Sequence, residues 1–257
     1  MKIGIIDSEL LAGVQNRFPN LACMKLAGFH SRQGDDVELI DSINDSPLLI
    51  NTTLSVYDKI YVSKVFTATQ LPKPLETFIT DNKDKVVIGG TGFFFDKAPL
   101  LPDEVEHTKP LYDLYSKFVA RQKNPQSSAL KFYRDYSIGF LTRHCFRHCP
   151  FCVNQNFNRV KEHSPLNEFV DLVKKKICLC DDNFFRFSGW KRLLEELRAT
   201  NKPFVFRQGL DERLLTEEKA QLLFSSKYDG FYTFAFDSIR DYDLIENKLR
   251  ISGERKQ

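Results

Sequence analysis

Strand-like apolar runs alternating with helical periods predict an α/β fold. It divides into an N-terminal Rossmann-like parallel-sheet domain and a partial (βα) barrel of about four βα units. Two observations carry this. In the first part, short runs at Lys2–Ile6, Val37–Ile40, Lys59–Val62 and Val86–Ile88 are spaced by helical or loop stretches. From about residue 136 onward, a strand followed by a helix recurs four times, each unit about 25–40 residues long. With 257 residues, there is ample material for two such cores. The expected boundaries are 1–95 for the first domain, 96–133 for a connector and 134–257 for the barrel.

The elements follow in order. After the opening strand, Leu21, Met24 and Phe29 mark one face of a helix over Asn20–Phe29, which Gly34 ends. A short helix is expected through Leu75–Ile79. Gly89-Gly90-Thr91-Gly92 follows a strand directly, but it matches neither a P-loop nor G-x-G-x-x-G. It reads equally as a tight turn and as a backbone that approaches a ligand. The connector carries Pro99, Pro102, Pro110 and Pro125, with one helix near Tyr112–Arg121.

In the second part Tyr136–Leu141 reads as a buried strand. Leu166, Phe169, Val170, Val173 and Ile177 fall on one helical face. Ile177–Cys180 reads as a strand, and Trp190, Leu193, Leu194 and Leu197 mark a helix. Phe204–Phe206 is a strand, followed by a helix capped by Thr216 with Glu217 and Glu218 in its first turn. Phe231–Phe236 is the fourth strand and Tyr242–Leu249 the last helix. Cys178 and Cys180 share one side of their strand, as packing residues.

Composition narrows the class. Hydrophobic content of 42 % and charged content of 28 % suit a soluble globular protein, and no apolar run approaches a bilayer span. The N-terminus has no signal-peptide profile, and six cysteines in this pattern do not form a secreted disulfide framework. A reducing cytoplasm is the expected location. A net charge of +3 does not indicate nucleic acid.

The chemistry lies in LTRHCFRHCPFCVNQ. Cys145, Cys149 and Cys152, spaced C-x3-C-x2-C, place three thiolates on one loop, directly after a strand. A closed zinc site wants four ligands, and an ordinary four-iron cubane wants four cysteines. Three thiolates on a four-iron cluster leave one iron open to a substrate. His144, His148 and His163 keep a second reading open, a Cys3His zinc site in a non-enzymatic metal-binding or interaction module.

This spacing, with Phe151 just before the last cysteine, resembles the radical S-adenosylmethionine (radical SAM) superfamily. The strings MKIGIID, FPNLACMKLAGFHSRQGDDVELI, VVIGGTGF, LPDEVEH, CDDNFF and RQGLDERLL extend the resemblance. Together they look like radical SAM proteins with an N-terminal cobalamin-binding-like domain. The resemblance implies an enzyme whose [4Fe–4S] cluster, held by the three cysteines, cleaves SAM reductively to a 5′-deoxyadenosyl radical. It also implies an electron donor such as flavodoxin or ferredoxin. It leaves the substrate unknown, with methylation, methylthiolation and rearrangement all open.

Carried over residue by residue, the resemblance puts the backbone of Phe151 against the adenine. It puts Asp181, Asp182 and Asn183, at the end of the second strand, near the methionyl amino group, whose ammonium seeks oxygen acceptors. A polar turn capping the strand is the alternative for these three. Gln208, Asp211 and Arg213 follow the third strand, where a ribose or carboxylate partner would sit, Arg213 bidentately. Asp237 closes the fourth strand. For these four, a solvated loop is the alternative.

Two departures stand out. Cobalamin held through a lower axial histidine needs D-x-H-x-x-G, and the nearest histidine, His30, has the wrong spacing to Gly34 and lacks the aspartate. Cobalamin is therefore not expected through that ligand. His144 and His148 stand where such proteins commonly carry small residues, and Arg143, Arg147, Arg159 and Lys161 surround the loop. These cations would favour thiolates and raise a cluster's reduction potential, or simply form a solvated basic loop. A superfamily core usually has six βα units. Four here imply an incomplete core with weak SAM cleavage, and self-association through the aromatic edge strand Phe231–Phe236.

Overall fold

A computed structural model describes residues 1–13, 18–43 and 46–253. It divides into two compact units, Met1–Arg134 and Asp135–Gln257.

The first unit is built on four parallel strands, β1 (Lys2–Asp7), β2 (Asp36–Leu39), β3 (Lys59–Ser63) and β4 (Val86–Gly89), in the order β2-β1-β3-β4. Ile3 pairs with Val37 on one side and Lys59 on the other, and Ile60 with Val86. The longer helices are Leu21–Arg32, Pro47–Ser55 and Lys73–Asp81. The first starts where Asn20 Oδ1 accepts from Cys23 N, as an N-cap should. Ile6, Ile60, Val62, Leu54, Leu75 and Phe78 meet in the core. This is a Rossmann-like α/β arrangement.

Strand order reverses between β1 and β3, where doubly wound sheets usually admit ligands. Here the chain fills that crevice itself. Tyr115 donates its hydroxyl to Asp7 Oδ2 at 2.7 Å and accepts Asn20 N at 3.1 Å, while Asn20 Nδ2 donates to Ser63 Oγ at 2.9 Å. Residues 96–134, including the Tyr112–Tyr115 and Ser116–Ala120 helical turns, thus belong to the first unit. The glycine run is stitched to the end of β3. Lys64 N donates to Gly89 O and Gly92 N to Lys64 O. Gly90 has φ +100°, and a Cβ there would meet the Lys64 carbonyl oxygen at 2.2 Å. The run is a tight structural turn.

Burial pushes the Asp7 carboxyl from 3.8 up to about 6, against the Tyr115 hydrogen bond. The folded chain therefore keeps a proton that the unfolded chain releases. Its contribution to stability is full below about pH 4, declines as pH rises to about 6, and stays lower above, by roughly 3 kcal/mol at most. Asp7→Asn removes the titration. Relative to wild type, the variant is expected to gain about 1–3 kcal/mol between pH 4.5 and pH 7.5 in urea unfolding. A constant difference across that range would show that Asp7 does not titrate there.

The second unit holds β5 (Tyr136–Gly139), β6 (Thr142–Arg143), β7 (Lys161–Glu162), β8 (Lys176–Leu179) and β9 (Phe204–Phe206). Its sheet is parallel in the order β5-β8-β9, and β6 and β7 form a separate antiparallel ribbon. Helices Trp190–Ala199 and Glu217–Phe224 follow β8 and β9, and Tyr242–Gly253 comes last. Leu179, Leu194, Leu197, Phe204, Phe206 and Leu223 form much of the core. Cys178 and Cys180 are both buried.

Two expected elements differ. The helix over Leu166–Ile177 stops after one turn, at Leu166–Phe169, and Leu172 and Val173 are exposed. Phe169 packs its ring on Gly139, Asp171 N donates to Ser137 Oγ, and Ile177 is taken by β8. Second, Phe231–Phe236 is not a strand, so three of the four expected strands form. Gly230, at φ +91°, turns the chain outward, leaving Phe231 95 % exposed. Its backbone pairing is limited to isolated bridges, Phe204–Tyr228 and Leu210–Phe234, although Tyr232 and Phe234 still pack on the core. The Tyr228 hydroxyl accepts Phe206 N, where a strand carbonyl would have served. The final residues, 254–257, lie outside the described ones. Among the described residues, no helix is long and apolar enough to cross a membrane.

Candidate functional site

The cysteine loop begins at the C-terminal end of β5. Its base is the β6–β7 ribbon, where Thr142 pairs with Glu162 and Arg143 with Lys161, and His163 N donates to Leu141 O. The loop between holds the three cysteines, all half-buried; all six cysteines of the chain are free thiols. Cys152 N donates to Cys149 O at 2.9 Å, so the C-x2-C half is a turn. Two non-glycine residues of this loop have left-handed backbones, His144 (φ +75°) and His148 (φ +49°), and each directly precedes a cysteine. Such conformations persist only where neighbours enforce them.

The enforcing groups come from the ends of β8 and β9. Asp181, almost fully buried, accepts Leu141 N at 3.1 Å, Thr142 N at 2.7 Å and Thr142 Oγ1 at 2.7 Å. Burial raises its carboxyl to about 7, although these hydrogen bonds work the other way. Asp182 accepts His144 N at 2.7 Å and Asn154 Nδ2 at 2.9 Å. Asn183 Nδ2 lies 3.5 Å from Cys145 Sγ and 3.1 Å from Asp211 Oδ2, and its Oδ1 is buried without a hydrogen-bond partner.

Asp211 gathers three donors, Arg213 Nε at 2.7 Å, Arg147 Nε at 2.8 Å and Asn183. Burial pushes its carboxyl up, but the two guanidinium groups and the amide outweigh it and hold the group below its ordinary value. Arg213 also meets Asp241 at 2.8 Å and Asp237 at 3.9 Å, and Asp211 first, then Asp241, raise its already high pKa against burial. The Cys149 thiol is pushed up by burial, then by Asp237 and by the neighbouring Cys145 and Cys152. The backbone N–H of Asn154 points at Cys152 Sγ at 3.4 Å.

Of the expected site residues, the three cysteines, Asp182, Asn183, Asp211, Arg213 and Asp237 share this network, with Asp181 supporting the start of the loop. Phe151, 67 % exposed, and Gln208, also exposed, stand outside it. Thr142, Asn154 and Asp241 were not expected. Asn154 follows the last cysteine by two residues and was findable by proximity; nothing in the spacing marks Asp241. Of the histidines, His144 stacks on Phe157 at 3.6 Å, with its imidazole pKa lowered by burial and by Arg143. His148 Nδ1 lies 2.6 Å from Gln155 O, and His163 Nδ1 lies 2.9 Å from Ser164 Oγ.

The donor set suits a three-thiolate cluster chemically: free thiols on one loop, with amide donors aimed at two sulfurs. The side chains are not drawn together, and among the described residues no group of three His, Cys, Asp or Glu is placed to hold a metal ion. Both ring nitrogens of His30 are engaged, Nδ1 with Asp35 at 2.7 Å and Nε2 with the Tyr61 hydroxyl at 2.9 Å. No family model, no curated protein and no solved structure matches the chain.

Proposed function

We propose that Cys145, Cys149 and Cys152 hold a [4Fe–4S] cluster, and that the chain is a radical SAM enzyme of a reducing, cytoplasmic compartment. One observation carries this reading. Three free, half-buried thiols share a loop at the C-terminal end of the first strand of a parallel sheet, fastened by polar groups from the ends of the next two strands. That is the end of a βα sheet where ligands are bound, and we read β5, β8 and β9 as the opening strands of a βα barrel.

Held by Cys145, Cys149 and Cys152, such a cluster would supply the electron, taken from the external carrier, for reductive cleavage of SAM to methionine and a 5′-deoxyadenosyl radical. The chain's own groups do the rest. Asn183 Nδ2 and Asn154 N donate to sulfur, which favours the more negative reduced state. Asn183 Oδ1 and the Asp237 carboxylate are the acceptors offered to the methionyl ammonium. Asp181, Asp182 and Asp211 are engaged with donors of the chain. Gln208 and Phe151 lie on the exposed rim, where the adenosine would rest. A small acidic electron carrier such as flavodoxin or ferredoxin would dock near Arg159, Lys161 and Arg186, all exposed.

The test is metal and sulfide analysis of the whole chain, purified anaerobically and reconstituted, followed by dithionite and SAM. Iron with matching sulfide, a cubane-type electron paramagnetic resonance signal and 5′-deoxyadenosine are the expected results. Stoichiometric zinc with no iron uptake would establish the metal-binding module instead.

A further inference from the structure

We propose that Asp182 is a positioning residue, a clip that closes the cysteine loop and presents Cys145. This rests on the reading of the three cysteines as ligands. β5 and β8 run in parallel register from Tyr136–Lys176 to Gly139–Leu179, and Cys180 N donates to Gly139 O. There the backbone ladder ends, but the pairing does not. Asp181 takes the amides of Leu141 and Thr142, Asp182 that of His144, and Asn183 reaches the sulfur of Cys145. Successive side chains of one segment thus hold successive positions of the other, where carbonyl groups would have done so in a longer strand.

A strand-capping turn would bond to its own neighbours. These carboxylates bond to chain 38 to 40 residues away. Asp182 goes further, because its two oxygens serve opposite arms of the loop. Oδ2 accepts His144 N on the entering arm, and Oδ1 accepts Asn154 Nδ2 on the leaving arm. Cys145, Cys149 and Cys152 all lie between these two attachment points. The amide Asp182 holds belongs to the left-handed His144, so the clip also maintains the unusual backbone that turns the chain into Cys145. Being only half-buried, Asp182 can be replaced with less risk to folding than Asp181.

Wild type, Asp182→Asn, Asp182→Ala and Asn154→Ala would be compared by amide exchange and by iron loss to a chelator after reconstitution. Asp182→Ala is expected to speed exchange at His144 about tenfold, the loss of one charge-assisted hydrogen bond. Asn154→Ala is expected to leave that amide largely protected. Iron loss should be fastest in Asp182→Ala and intermediate in Asp182→Asn, which keeps one acceptor of two. If Asp182→Ala does not fold, Asp182→Asn decides alone. Unchanged His144 exchange, or a uniform rise across β5, β8 and β9, would overturn the clip. Wild-type protein that takes up no iron would instead overturn the cluster reading, while the exchange data still judge the clip.

Discussion

Alanine at Cys145, Cys149 or Cys152, one at a time, is expected to reduce bound iron from about four per reconstituted chain to near zero. Unfolding free energy in the metal-free state should stay within about 1 kcal/mol of wild type. The two halves of this expectation have separate causes. A three-thiolate site has no spare ligand, so each sulfur is indispensable to the metal. The same side chains are half-buried and sit on a loop, so the fold does not lean on their packing. Cys23, Cys178 and Cys180 supply the opposite control. They are buried, and serine there should destabilise the chain yet leave iron uptake intact. Iron retained by any single loop variant would show that its cysteine is not a ligand.

Arg213→Met is expected to destabilise the second unit by about 3 kcal/mol, measured by urea unfolding. Asp211 is 7 % exposed, and its Oδ1 faces the Arg213 guanidinium at 2.7 Å. Without that cation, a buried carboxylate keeps only Arg147 and Asn183, and Asp241 loses its partner at 2.8 Å. Removing one member of a buried charge group costs more than the group contributes, because the remaining charge is left poorly solvated. Arg213→Lys should recover less than half of the loss. One ammonium cannot face Asp211 and Asp241 in two fixed directions as a guanidinium does. A cost below about 1 kcal/mol for the methionine variant would mean that solvent, not Arg213, balances Asp211.

The sequence made the sheet of the first unit legible because each strand is a short apolar run with a turn or helix signal on either side. The Pro47–Ser55 helix was missed for a local reason. Ser46 makes no side-chain capping bond, and nothing acidic stands in the first turn. The expected Leu166–Ile177 helix failed through period counting. Ile177 belongs to a strand, and its spacing from Val173 agreed with a helix by coincidence. Phe231–Phe236 has the alternation and aromatic content of a strand, but Gly230 redirects the chain before a ladder forms. In the site, the cysteines announced themselves by spacing. Asp181–Asn183 were legible as candidates, but their partners were not, since no local pattern connects residues that meet across some forty positions. The Tyr115–Asp7 bond, spanning 108 positions, is hidden for the same reason.

The left-handed backbones at positions 144 and 148 bear on which sequences natural selection can explore there. A side chain branched at Cβ is barred from such a conformation, whereas glycine adopts it freely and asparagine readily. Drift at either site therefore runs along a short list of exchangeable residues, with histidine an uncommon member. A common preference for small residues before the cysteines of such a motif would follow from the turn itself, without any demand from the metal. Invariance at these two positions would then record the shape of the path into each thiol and carry no message about catalysis.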